Sequence, residues 1–198
     1  MSAWRNTPTL TGEHVVLRPL VSGDRDALLD ASADGRLWEL FWTGVPSADT
    51  IDGWLGDAFR EQDYGRAMPF AVCDGAGRLL GSSRYLRMNE AHRRLEIGAT
   101  FYRASVQRSG VNTESKLLLL GHAFEELGCT VVQIRTDWLN RPSRAAIERL
   151  GAKCDGVLRN HQIAADGRIR DIVVYSITAA EWPGVKRGLQ LRLGRAGA

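Results

Sequence analysis

Residues 106–115, VQRSGVNTES, hold a glycine at position 110, and a lysine follows at 116. That separation matches the nucleotide P-loop pattern G-x-x-x-x-G-K-[ST], in which backbone amides cradle phosphates and the lysine neutralises them. The match breaks at Ser115, which stands at the second glycine, and at Leu117, which stands where a magnesium-binding hydroxyl belongs. The dinucleotide pattern G-x-G-x-x-G fails too, because Gly110 is the loop's single glycine. A general property remains. The first N–H groups of a helix lack partners and the helix dipole is positive there, so residues 108–113 could hold a pyrophosphate. Asn112 or Thr113 could equally cap the helix with its own side chain, and the loop alone leaves both readings open.

The chain that carries this loop has 198 residues, enough for one well-buried α/β domain, and residues 1–198 are read as a single domain. With 44% hydrophobic and 25% charged residues it has an ordinary globular composition, and no apolar run is long enough to span a bilayer. The N-terminus MSAWRNTPTL shows no export pattern, so the expected location is cytoplasmic. Cys73, Cys129 and Cys154 are far apart and fit buried thiols in a reducing compartment; with four scattered histidines, they predict no metal site. A net charge of +3 does not argue for nucleic acid, although Lys186, Arg187, Arg192 and Arg195 gather positive charge in the tail, which reads as a solvated helix end.

The apolar patterning places the loop between a strand and a helix. Strands are expected at 13–20, 67–74, 79–88, 93–102, 131–138, 153–163 and 168–177, with hairpins at GAG after residue 74 and at Asp166-Gly167. Helices are expected at 22–35, capped by Ser22 or Asp24, and behind Ser47 or Asp49. Two more follow, one from the loop to Gly128 and one across RPSRAAIERL, and a helical extension covers 179–198. The order mixes hairpins with one β-α-β crossover. It predicts a mixed α/β (α+β) fold, with a mostly antiparallel twisted sheet of about seven strands flanked by helices and one parallel pair at the crossover.

The stretch LEIGATFYRASVQRSGVNTESKLLLLGHAF, followed by NRPSRAAIERLGAK, resembles the GNAT superfamily of acyl-CoA-dependent N-acetyltransferases, especially its ribosomal-protein N-terminal alanine acetyltransferase branch. The resemblance implies that a Q/R-x-x-G-x-G/A loop after the fourth strand binds the CoA pyrophosphate through backbone amides. Gln107, Gly110 and Asn112 take its marked positions, with Arg108, Ser109, Val111 and Thr113 between and beside them. Asn112 departs from the small residue usual there. Asn140, Ser143, Leu150 and Gly151 match a second motif, whose asparagine and following helix contact the pantetheine arm. The implied co-substrate is acetyl-CoA, the implied partner an amine acceptor, and homodimerisation agrees with the family likeness.

Acyl transfer from a thioester to an amine needs a neutral amine, a polarised carbonyl and a protonated leaving thiolate. By the resemblance Glu96 is the candidate proton acceptor; its competing role is an ion pair with Arg93 or Arg94. Backbone at 98–101, with Thr100 and Phe101, would face the thioester and pantetheine, and Gly98 would be either a bulge or a packing glycine. Relatives' tyrosine acid is missing from RPSRAAIERL, which leaves Ser143 as a proton relay, a helix cap or a cofactor contact. Trp38, Phe41 and Trp42 would line the acceptor pocket or pack in the core, and His161 and Arg159 would face the same cleft or the surface. The expected activity is direct acetyl transfer to a primary amine, without a cysteine acyl-enzyme. The alternatives are a non-catalytic acyl-CoA-binding module and a ribosome-associated protein using its basic tail.

Overall fold

The computed structural model describes residues 2–164 and 166–196, with side chains of the last helix described as far as Gly194. Eight strands form one sheet in the order β1-β2-β3-β4-β5-β6-β8-β7. They are β1 (Leu10–Thr11), β2 (Val15–Pro19), β3 (Met68–Asp74), β4 (Leu79–Asn89), β5 (Arg94–Tyr102), β6 (Val131–Asp137), β7 (Lys153–Ile163) and β8 (Ile169–Thr178). All neighbours are antiparallel except β5 and β6. The expected mixed fold is borne out, with the two-residue β1 as an added edge strand.

Helices α1 (Arg25–Ala33) and α2 (Ile51–Asp63) cover one face, where Leu28, Ile51 and Leu55 pack with Ala71 and Phe101. Helix α3 (Val111–Gly121), which continues into a π turn at His122–Glu126, covers the other with α5 (Trp182–Ala196). Leu119, Leu120, Ala123 and Leu127 follow helical spacing and meet Leu17, Phe70, Tyr85 and Ile97 in the larger core. Central strands are therefore buried on both faces, and β3 has six consecutive buried residues.

The tail helix is not a solvated extension throughout. Trp182 and Leu189 are buried, and Trp182 stacks on Phe124 at 5.5 Å. Lys186 pairs with Glu125 at 2.7 Å; the Arg195 side chain and residues 197–198 lie outside the described residues. Asp24 takes the cap position of α1, one of the two expected, but its side chain does not cap the helix and accepts instead from Arg18 and from the Val21 N–H. Cys73 and Cys129 are buried as expected, whereas Cys154 is exposed on β7.

One carboxylate ties α3 to the opposite end of the sheet. Glu114 is 5% exposed and accepts the N–H groups of Glu13, His14 and Val15 at 2.7, 2.8 and 2.9 Å. The turn before β2 comes so close that a Cβ at Gly12 would lie 2.6 Å from Glu114 Cδ. Replacing the carboxylate would strand three N–H groups, so Glu114→Ala should lower unfolding free energy by about 3 kcal/mol. Urea denaturation measures this, and a loss below about 1 kcal/mol would contradict the assigned role.

Candidate active site

Strands β5 and β6 are paired over only three positions, Arg94 to Val131, Leu95 to Val132 and Glu96 to Gln133. Beyond them the strands part, and the opening is a cleft of about 900 Å³. Its walls come from Ile97–Tyr102 on one side and Ile134–Asp137 with helix α4 (Arg141–Arg149) on the other. On β5 the opening is sharpened by a bulge. Ser82 pairs with Phe101 and Arg84 with Gly98, so two residues of β5 oppose one of β4, and Ala99 takes φ +47°. The expected bulge at Gly98 therefore sits one residue later. Gly98 itself is a close-approach glycine, since a Cβ there would meet Leu86 Cδ1 at 2.9 Å.

The 107–113 loop closes one end of the cleft. Gln107 Nε2 donates to the Tyr102 carbonyl at 3.0 Å, Arg108 takes φ +63°, and the Ser109 hydroxyl donates to Val106 at 2.6 Å. These bonds turn the chain so that α3 starts at Val111, with Gly110 in the cap position and no side-chain cap. Capping by Asn112 or Thr113 is thus overturned: both are already in the first turn. Among the described residues, their N–H groups have no acceptor. Both residues line the cleft, with Gln107, Arg108 and Ser109. Gly110 and Val111 do not; Gly110 faces Leu193 of α5, and Val111 packs on the larger core.

Sequence reasoning passed over Lys116 after the P-loop comparison failed. It is 5% exposed, lines the cleft and donates to Thr100 Oγ1 at 3.0 Å, while Thr100 Oγ1 also meets Ser83 Oγ at 2.7 Å. Burial pushes its amine down to about 7. Its place at i with Leu119, Leu120 and Ala123 on the apolar stripe of α3 was the signal available in the sequence. At the far wall Asn140 accepts from the Ser143 N–H at 3.1 Å, so Asn140, not Ser143, caps α4. Asn140, Ser143, Thr100 and Phe101 all border the cleft.

Glu96 lies just off the cleft, on a smaller cavity of about 130 Å³ that also holds His161. It is 4% exposed and pairs not with Arg93 or Arg94 but with Arg87, at 2.7 Å, and Arg135, whose Nε is 3.2 Å away. Burial raises its carboxyl above the usual range, against the pull of both guanidiniums. Asp137, 1% exposed, joins the two cavities. It accepts from Arg168 at 3.0 Å, Arg170 at 2.7 Å and the Leu139 N–H at 2.8 Å. Arg168 and Arg170 also donate to the carbonyls of Phe41 and Trp42, at 3.1 and 3.2 Å. Of the three aromatics expected at the acceptor pocket, Trp42 alone lines the cleft. Trp38 is half-buried in a 3₁₀ turn, and Phe41 is 50% exposed beneath Arg168. Trp54 takes a place there instead, with the Arg84 guanidinium 3.7 Å from its ring centre. Arg159 is spent on Asp171 at 2.6 Å. From the tail helix, Arg192 reaches the cleft rim.

The family profile of the acetyltransferase (GNAT) domain matches residues 14–153. Over 180 residues the chain is 28% identical to "Putative ribosomal N-acetyltransferase YdaF" of Bacillus subtilis, covering 88% of this chain and 96% of that one. A GCN5-related N-acetyltransferase from Brucella melitensis superposes with a TM-score of 0.83 at 28% identity, over 95% of this chain and 86% of the other. Mycobacterium smegmatis RimJ, solved in complex with CoA-disulfide, gives 0.78 at 25% identity, over 94% and 95%.

The buried lysine makes a pH-dependent prediction. Between about 7 and the ordinary value of 10.5 the unfolded chain holds a proton on Lys116 that the folded chain has released. Stability contributed by this site therefore rises with pH through that window, and the cost of burying the charged amine is full below pH 7. Lys116→Met should exceed the parent in stability by about 2 kcal/mol at pH 6, with the gap closing towards pH 10. Urea unfolding at several pH values checks this; a gap independent of pH would refute it.

Proposed function

The chain belongs to the GNAT acetyltransferase family, and on that premise we propose that it moves an acetyl group from acetyl-CoA to a primary amine by direct attack. The observation that carries this reading is the cleft between the parted strands. One end holds first-turn N–H groups without an acceptor among the described residues, and a buried lysine; the other opens beside a buried carboxylate. The N–H groups of Asn112 and Thr113, with Arg108 nearby, suit a pyrophosphate. A pantetheine arm would lie along β5 at residues 97–101, opposite Asn140 and Ser143. The complex of the RimJ relative with CoA-disulfide supports the same co-substrate.

At the reacting end the chain's own groups divide the work. Glu96 Oε2 faces Arg87 and Arg135, which leaves Oε1 to take the ammonium proton, directly or through a water. A carboxyl raised by burial is better matched to that transfer at neutral pH than an exposed one. Backbone N–H groups at the Ala99 bulge would face the developing oxyanion. Ser143 is placed to pass a proton to the leaving sulfur as a relay. The name of the relative YdaF, a putative ribosomal N-acetyltransferase, favours an amine of a ribosomal protein as acceptor, and with it a cytoplasmic setting, over a small amine.

A second reading, an acyl-CoA-binding module without catalysis, draws on one observation: Glu96 is held in two ion pairs. Two measurements separate the readings. Calorimetry should show CoA and acetyl-CoA binding at micromolar concentrations, about −8 kcal/mol, and no heat at high micromolar ligand would sink both. In a broad amine screen with acetyl-CoA, Glu96→Gln should lower kcat by about a hundredfold while leaving CoA affinity intact. An unchanged pH-rate profile in that variant would remove Glu96 as the base.

A further inference from the structure

The small cavity beside Glu96 carries more positive charge than its carboxylates need. Arg87, Arg135 and Arg170 all line it, against Glu96 and Asp137, and Asp137 also takes Arg168. Four guanidiniums thus surround two carboxylates. Their donors are not used up. Arg135 Nε sits off-axis from Glu96 and is buried without a hydrogen bond. Among the described residues Arg135 Nη1 and Arg170 Nη1 also lack acceptors, although these side chains are only 21% and 20% exposed. Partly desolvated guanidinium forks with spare N–H groups are the usual receptors for a carboxylate. At about 130 Å³ the cavity has room for such a group. Arg135, Thr136, Asp137 and Arg170 border the cleft as well, so a molecule in the cleft can reach in.

We propose that this cavity is an anion subsite of the acceptor, taking a carboxylate carried by the same molecule whose amine faces Glu96 Oε1. The inference rests on the acetyltransferase reading for the word acceptor; the preference for a carboxylate stands on the cavity alone. Surplus positive charge serves both ends of such a molecule. It attracts the carboxylate, and it favours the neutral, nucleophilic form of the nearby amine. An acceptor with a basic side chain at that position meets like charge. The carboxylate has two sources, an acidic side chain near a peptide N-terminus or the α-carboxylate of a free amino acid.

The test uses transfer-product mimics in two matched pairs: N-acetyl-aspartyl-glycinamide against its asparaginyl twin, and N-acetylalanine against N-acetylalaninamide. Each is titrated into the full chain by calorimetry or NMR, with and without CoA. The acid of at least one pair should bind about tenfold tighter than its amide. The preference should shrink with salt and vanish in both Arg135→Gln and Arg87→Gln, while the amide twin's affinity stays put. The pair that shows the preference identifies the source. Equal affinities within both pairs, no binding of either acid, or a preference that survives both substitutions would overturn the proposal. CoA binding is read in the same titrations, so its failure would sink the acetyltransferase reading without deciding the charge preference.

Discussion

Everything at the candidate site follows from the shortness of one strand pairing. After Glu96 and Gln133 the parallel ladder between β5 and β6 stops, although both strands run on. An unpaired run of backbone inside a protein is costly unless something else satisfies it. Here the parted strands open onto a cleft where a ligand with its own amides can lie along them. The bulge at Ala99 and the packing glycine at Gly98 sit just past the last paired residue, where β5 must turn its backbone towards the opening.

That gap also fixes what each neighbouring element does. Because β5 leads into the 107–113 loop, the start of α3 points its first-turn N–H groups at one mouth of the cleft. Glu114, one turn along, anchors the same helix to the turn before β2, which limits how far α3 can move when the cleft is filled. Lys116 is held between the helix and Thr100 at the cleft floor. Burial lowers its proton affinity, and an anionic ligand nearby would raise it.

Much of the scaffold was legible in the sequence. Leu119, Leu120 and Ala123 on α3 fall where helical periodicity places them, and the continuous apolar run at 68–73 becomes a strand buried on both faces, because burial imposes both patterns. The two-residue β1 left no trace, since so short a run has no period. At the site, the legible part was the place of the loop between β5 and α3; the cap of α4 was not, since the sequence offered Ser143 and Asn140 takes it. Glu96 was found by resemblance, but its partners were not: Arg87 and Arg135 come from the strands on either side, and strand pairing is invisible along the chain. Arg93 and Arg94 were close in sequence, yet they stand before the cleft begins. The aromatics at 37–42 divide for a similar reason. The family likeness put a pocket there and Trp42 lines the cleft, but the tie of this segment to Arg168 and Arg170 through the Phe41 and Trp42 carbonyls is a tertiary contact with no trace in the local sequence.

Those two arginines have a consequence for how the protein can change over time. Through Asp137 they join the end of β6, the β7–β8 hairpin and the backbone at Phe41 and Trp42, segments as much as 128 residues apart in sequence. Losing Asp137 would leave two half-buried guanidiniums facing each other, and losing either arginine would free one end of the segment at Phe41 and Trp42. None of these positions can drift alone. Lineages that rebuild this wall of the cleft are then expected to alter positions 137, 168 and 170 as a set, and the signature would be correlated substitution rather than change at any single position.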